Sequence, residues 1–234
     1  MRMAVIPARG GSKRIPRKNI RAFCGKPIIA YSIDAAIQSQ LFDRVIVSTD
    51  NNEIAETARQ LGAEIPFMRP AELANDFVGT VPVIRHAIHQ LIAQETSPIY
   101  VCCIYATAPF VTAPDIQRGW RILLETRADY AFSVTSFASP IQRAIKITPD
   151  GRIAMFQPQN YEARSQDLEQ AYHDAGQFYW GRAAAFLNEL KLFSNHAAPV
   201  LLPRSQVQDI DTLEDWDIAE LMFSVRQQRL ELNF

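Results

Sequence analysis

The stretch MAVIPARGGSKRIPRKN (residues 3–19) decides the fold. MAVIP is a short apolar run without polar alternation, as expected of a strand buried on both faces, and it stops at a Gly-rich basic loop. A buried strand feeding such a loop predicts an open α/β sheet with its ligand at the carboxyl edge. Outward from it, strand and helix signals alternate. Pro27 suits the first position of a helix running to about Ser39. RVIVST (44–49) is a β-branched run ending at Asp50, the expected N-cap of the helix NNEIAETARQL closed by Gly62. A short strand is expected near 64–68, and from Thr80 the residues Val83, Ile84, Ala87, Ile88, Leu91 and Ile92 recur at helical spacing. IYVCCIY (99–105) and YAFSVTSF (130–137) read as buried strands around a helix over 114–126. The alternation predicts a Rossmann-like α/β fold, a largely parallel sheet with helices on both faces.

The pattern then breaks. Residues 139–175 contain a Pro-Asp-Gly turn (149–151) between IKI and IAMF, which predicts a hairpin on a small inserted arm. FYWGR, VLLP and VQDI return to short apolar runs, and an amphipathic helix is expected over about 212–228. The chain therefore reads as a single domain, 1–234, carrying one arm.

Composition bounds the function. The chain has 234 residues, 48% hydrophobic and 21% charged, with 24 basic against 25 acidic side chains. That is enough to bury a substantial core, and the balance is wrong for a general nucleic-acid binder. No apolar run approaches the roughly 18–20 residues that span a bilayer, and Met3 to Pro7 is too short for a secretory signal. Cys24, Cys102 and Cys103 are odd in number and lack CxxC spacing, and the adjacent pair reads as buried strand. The expectation is a reduced, cytoplasmic protein without a membrane partner.

The balanced total hides an asymmetry. Residues 1–33 carry eight basic side chains and no carboxylate, and seven of them (Arg9, Lys13, Arg14, Arg17, Lys18, Arg21, Lys26) flank or surround Gly10, Gly11 and Ser12. A solvated basic loop would explain a charge run elsewhere. At the end of a buried first strand, amides of a Gly-Gly-Ser turn with converging Arg and Lys predict a polyphosphate site. GxxxxGK[ST] and GxGxxG are both absent, which disfavours P-loop ATPases and nicotinamide oxidoreductases.

Asp209-Ile210-Asp211 is the second feature. In an extended segment residues two apart face one side, so both carboxylates can share a divalent cation. The competing reading is a capping box formed by Asp211 and Glu214. His86 and His89 lack a third ligand and read as helix-surface residues, and there is no GxSxG elbow.

PARGGSKRIPRKN (7–19) with GKPII (25–29) resembles the N-terminal signature of the acylneuraminate cytidylyltransferase, or CMP-sialic acid synthetase, family. STDN (48–51), RPAELANDF (69–77), TAPF (107–110), RSQDL (164–168), AGQFYW (175–180) and DIDTLEDW (209–216) extend the likeness over nearly the whole chain. The resemblance implies that the anomeric hydroxyl of a nonulosonic acid attacks the α-phosphate of CTP and releases pyrophosphate. It implies Arg9 and Lys18 on the phosphates, with Ala8, Gly10, Gly11 and Ser12 completing the loop. Asn19 and Arg69 would lie beside ribose and base, and Gly79 and Thr80 would form the cytosine wall. Asp209 and Asp211 would hold Mg²⁺, and Asp211 would join Arg9 and Lys18 in catalysis, the cation lowering the pKa of a bound water or of the sugar hydroxyl and so supplying the base. A homodimer is implied, with the arm carrying Arg143 and Arg164 to the neighbouring sugar site.

The chain departs from the sialic acid pattern at two points. Tyr105 stands where a glutamine usually contacts the sugar, and Ala175-Gly176 replaces Asn-Gly within YHDAGQFYWG. These departures resemble the pseudaminic acid branch, whose substrate is a diamino, 9-deoxy nonulosonate, with N-acylneuraminate and legionaminate enzymes as the alternatives. Tyr105, Tyr172, His173, Phe178 and Tyr179 are then the expected sugar-binding residues. Two other classes stay open: a metal-dependent glycosyltransferase using the DxD, and a nucleotide-binding protein without catalysis.

Overall fold

A computed structural model describes residues 1–232. The elements follow in the order β1 (Arg2–Pro7), β2 (Ala22–Phe23), β3 (Lys26–Pro27), α1 (Ile28–Gln38), β4 (Arg44–Ser48), α2 (Asn52–Gln60), α3 (Thr80–Ile92) and β5 (Tyr100–Ile104). Then come α4 (Ala113–Thr126), β6 (Tyr130–Ser136), β7 (Ile145–Ile147), β8 (Ile153–Met155), β9 (Tyr172–Arg182), α5 (Ala183–Leu187), β10 (Ala197–Leu201) and α6 (Leu213–Leu232).

The main sheet has six strands in the order β10-β6-β9-β5-β1-β4. β1 pairs in parallel with both β4 and β5, and β10 with β6, whereas β9 runs antiparallel between β5 and β6. The expected mostly parallel α/β sheet is therefore present, with one reversed strand that returns from the arm. Alternation along each strand divides the core. Ala4, Ile6, Cys102, Ile104, Phe178 and Trp180 pack under α1, α2 and α4, while Val5, Val101, Cys103 and Tyr179 face α3 and α5.

A third cluster positions the site. Ile15 of the basic loop and Ile210 of the DID segment are both 1% exposed and share one core with Phe23, Phe110, Trp216 and Phe223. Each such side chain contributes about 1.5–3 kcal/mol on burial, so two loops 195 residues apart in the chain are fixed against the same helix, α6.

Several local expectations shift. Asn51, not Asp50, caps α2, its carboxamide oxygen accepting from the Ile54 amide. The cap of α6 is a reciprocal pair one residue later than expected: Thr212 Oγ1 accepts from the Asp215 amide and Asp215 Oδ2 accepts from the Thr212 amide. Asp211 and Glu214 do not form it, and the Asp211 carboxylate is left for other partners. The strand expected near 64–68 is a single bridge between Glu64 and Ile46, because Pro66 interrupts the ladder. VQDI is extended but unpaired. The arm ends before Tyr172, since β9 already belongs to the main sheet.

Candidate nucleotide and acceptor site

The cleft lies where β1 is flanked by β4 on one side and β5 on the other, the switch point at which open α/β sheets leave a crevice. It encloses about 240 Å³ and is lined by Arg9, Ser12, Lys13, Lys18, Asn19, Arg69, Gly79, Thr80, Tyr105 and Asp211, among others. The basic loop is tied to the STDN turn: Ala8 donates its amide to the Ser48 carbonyl and Gly10 donates to Asp50 Oδ1, both at 2.9 Å. A Cβ on Gly10 would approach Asn51 Cβ to 2.9 Å, so this close approach needs glycine.

These contacts correct part of the phosphate-site expectation. The Gly10 amide already serves Asp50, the Ser12 amide bonds the Gly10 carbonyl, and Ala8 is a core residue. Neither Ala8, Gly10 nor Gly11 lines the cleft. The cleft therefore presents the side chains of the basic loop rather than the amides of Gly10 and Ser12, and Asp50, expected only as a helix cap, holds the loop in place.

The cations converge. Lys18 Nζ donates to the Ile210 carbonyl at 2.6 Å and lies 3.6 Å from Asp211 Oδ1, to which Arg14 also pairs at 2.9 Å. Asn19 braces the loop through its amide nitrogen on the Arg9 carbonyl. Arg69 is 6% exposed, and its Nε and Nη2 have no hydrogen-bond partner among the described residues. Burial lowers its pKa, Asp50 opposes that and Arg9 adds to it. A buried guanidinium with free N–H groups facing a cleft is costly unless a ligand oxygen completes it. Asp76, from the RPAELAND loop, pairs with Lys13 and Arg9 at 2.7 Å each, and those two side chains lower its pKa. Nothing in the motif RPAELANDF itself distinguishes Asp76 from its neighbours.

A second pocket of about 450 Å³ adjoins the first and shares Tyr105; His173, Asp174, Gly176, Tyr179, Gln208 and Asp209 also line it. Asp209 and Asp211 thus face adjoining pockets. Burial raises the Asp209 pKa, and the neighbouring Asp211 charge adds to that, with Lys18 opposing. Among the described residues no group of three or more His, Cys, Asp or Glu side chains can hold a metal. Two carboxylates beside a phosphate cleft do suit Mg²⁺, which keeps waters and takes its remaining ligands from phosphates.

The expected sugar residues do not all meet. Tyr105, His173 and Tyr179 line the second pocket. Phe178 does not: adjacent strand residues face opposite sides, and Phe178 is fully buried under α4 with Trp180. Tyr172 is exposed at the end of β9, and Arg143 and Arg164 sit on the arm, Arg164 paired with Asp167 at 2.7 Å. None of these three lines either pocket.

A mostly parallel sheet, a cationic cleft at its switch point and a carboxylate pair between two pockets define a nucleotide-binding transferase. The profile of the family described as Cytidylyltransferase matches residues 3–207, and the chain belongs to that family. It is 42% identical to the pseudaminic acid cytidylyltransferase of Campylobacter jejuni over 97% of both chains. It is 33% identical to a CMP-N,N'-diacetyllegionaminic acid synthase of Legionella pneumophila, covering 97% of this chain and 98% of that one. The fold is similar to that of CMP:2-keto-3-deoxy-manno-octonic acid synthetase complexed with CTP, with a TM-score of 0.70, 15% identity, and coverage of 96% and 99%. No helix among the described residues is long and apolar enough to cross a membrane.

Proposed function

We propose that the chain joins CTP to a nonulosonic acid, pseudaminic acid foremost, giving the CMP-sugar and pyrophosphate. The carrying observation is the pair of adjoining pockets, one cationic and one with two tyrosines, that share Tyr105 and are each edged by one aspartate of the Asp209-Ile210-Asp211 segment. The triphosphate lies against Arg9, Lys18 and Ser12, displacing Asp76. Arg69 and Asn19 receive the nucleoside, with Gly79 and Thr80 as its wall. The acceptor's anomeric oxygen, arriving from the second pocket, forms the new bond to the α-phosphorus as the bond to pyrophosphate breaks. Arg9 and Lys18 neutralise charge that develops on the phosphates. Asp209 and Asp211 would hold Mg²⁺, which supplies further charge neutralisation and eases loss of the hydroxyl proton. Lys18 fixes the DID backbone through the Ile210 carbonyl, so the phosphate ligand and the aspartates move as one unit.

Substrate choice follows from the wall. Exchanging an amide for a phenol ring favours a methyl terminus over a glycerol tail whose hydroxyl would go unpaired, a difference of about 1–3 kcal/mol. With CTP and Mg²⁺, pyrophosphate release should be roughly ten- to a hundredfold more efficient with pseudaminic than with N-acetylneuraminic acid. Tyr105→Gln should narrow that gap. Equal kcat/KM for the two acids in the unmodified protein would return the reading to a general sialic acid synthetase, and a preference for legionaminic acid would move it to that branch.

The arm supports a homodimer. Ile145, Ile147, Ile153 and Phe156 are 56%, 80%, 71% and 63% exposed on a two-stranded hairpin that is too small to bury them. In a dimer the arm would bring Arg143 and Arg164 to the neighbouring acceptor pocket. Light scattering should give a dimer, and Ile147→Asp with Phe156→Asp should dissociate it and raise the KM for the acid. A fully active monomer would remove the arm from the site.

A further inference from the structure

The second pocket contains one carboxylate that neither the phosphate chemistry nor the aspartate pair uses. Asp174 is brought there by an irregularity in β9. Phe132 pairs with Tyr179 and Val134 with Asp174, so five residue steps on β9 face two on β6. The surplus is gathered at Gly176, whose φ of +61° is a left-handed conformation that costs other residues about 1–2 kcal/mol. Ser133 Oγ closes the bulge by accepting from the amides of Gln177 and Phe178, at 3.3 and 3.2 Å. Residues five apart in a regular strand face opposite sides of the sheet. The bulge abolishes that parity, and the Tyr179 hydroxyl donates to Asp174 Oδ2 while Asp174 Oδ1 accepts from the Gly176 amide at 2.8 Å.

Tyr105 is fixed from the other side. Its hydroxyl lies 2.7 Å from Thr80 Oγ1 at the start of α3, and its ring centroid is 5.3 Å from that of Tyr179. Burial raises the pKa of both phenols, and Asp174 raises that of Tyr179 further, so Tyr179 stays protonated and donates. Both hydroxyls of this two-tyrosine wall are therefore engaged within the protein, and the wall presents ring faces beside the polar lining of His173, Gln208 and Asp209.

The geometry points to Asp174 as a specificity-determining positioning residue: by engaging the Tyr179 hydroxyl it keeps the acceptor wall apolar, selecting nonulosonic acids that end in a methyl over those that end in a hydroxymethyl. This rests on the proposed function and deepens it. Without the Asp174 carboxylate, the Tyr179 hydroxyl is released to pair with a substrate hydroxyl. An asparagine at 174 still offers an acceptor oxygen. A purely structural role would lower the efficiency with both acids in proportion and leave their ratio unmoved.

The test is the ratio of kcat/KM for pseudaminic over N-acetylneuraminic acid, followed by pyrophosphate release, with CTP binding checked on each variant. Asp174→Ala should narrow the ratio about tenfold, the worth of one recovered hydrogen bond, while Asp174→Asn keeps it within about threefold. Adding Tyr179→Phe to Asp174→Ala should restore the ratio, because no hydroxyl remains to be freed. An unchanged or wider ratio in Asp174→Ala, or a double variant as unselective as the single one, overturns the assignment. Should Asp174→Ala fail to bind CTP, Asp174→Ser removes the same carboxylate and carries the same expectation. A wild-type chain that binds CTP but is inert with every nonulosonic acid would instead overturn the proposed function, and this inference with it.

Discussion

Asp211→Asn is expected to lower turnover about a hundredfold or more at saturating substrates, without a matching loss of stability. A cation held by Asp209 and Asp211, as proposed, would be worth several kcal/mol to a reaction that concentrates charge on phosphate oxygens. An asparagine keeps the shape but halves the charge that draws the ion. The fold should tolerate the change, because Thr212 and Asp215 cap α6 and Asp211 joins that cap only through its backbone amide, which donates to Asp215 Oδ2 at 3.1 Å and survives the substitution. The ion pairs lost, to Arg14 at 2.9 Å and Lys18 at 3.6 Å, are partly exposed and contribute about 0–1 kcal/mol. Asp209→Asn should behave likewise, and it also relieves the repulsion between two neighbouring carboxylates that raises the Asp209 pKa. Thermal melts and steady-state rates over a Mg²⁺ series would separate the two effects, with part of the rate recovered at high Mg²⁺. Near-normal activity of Asp209→Asn at limiting Mg²⁺ would remove the pair from the metal role.

Arg9→Ala carries the second large effect, a fall in kcat/KM of about a hundred- to a thousandfold, as when a charge-stabilising donor is removed. Arg9 is one-third exposed in the cleft and among the described residues its ion pair is with Asp76, so its loss disturbs little packing. Asp76→Asn should act in the opposite direction. It removes the anion that holds Arg9 and Lys13 at 2.7 Å, and the KM for CTP should fall by a few-fold, since exposed pairs of this kind are weak competitors. If Arg9→Ala changes only the KM for CTP, and modestly, the triphosphate lies elsewhere.

The sequence and the tertiary structure contributed different things. Elements were legible wherever one residue's neighbours decide its conformation. MAVIP, RVIVS and YVCCI could only be buried strands, the intervening apolar spacing could only be helical, and the family was legible because its signature lies in contiguous loops. The acidic pair and the basic loop were visible as patterns of charge. What the pattern could not give was parity and partnership. Phe178 and Tyr179 are neighbours of similar chemistry, and only their pairing in the sheet sends one to the core and the other to the pocket. Asp50, Asp76 and Asp174 are ordinary loop and strand carboxylates in the chain. Each takes its role from a group far off in sequence or brought near by a bulge: the Gly10 amide, the Arg9 and Lys13 cations, the Tyr179 hydroxyl. Local sequence thus determined the α/β class, because short-range sterics and hydrophobic periodicity are written residue by residue, and the cytidylyltransferase character was legible through the resemblance of its contiguous motifs to that family. The assignment of each carboxylate to a cation, an amide or a phenol was decided only by tertiary structure, because those contacts depend on which buried side chains, such as Ile15 and Ile210, bring distant loops together.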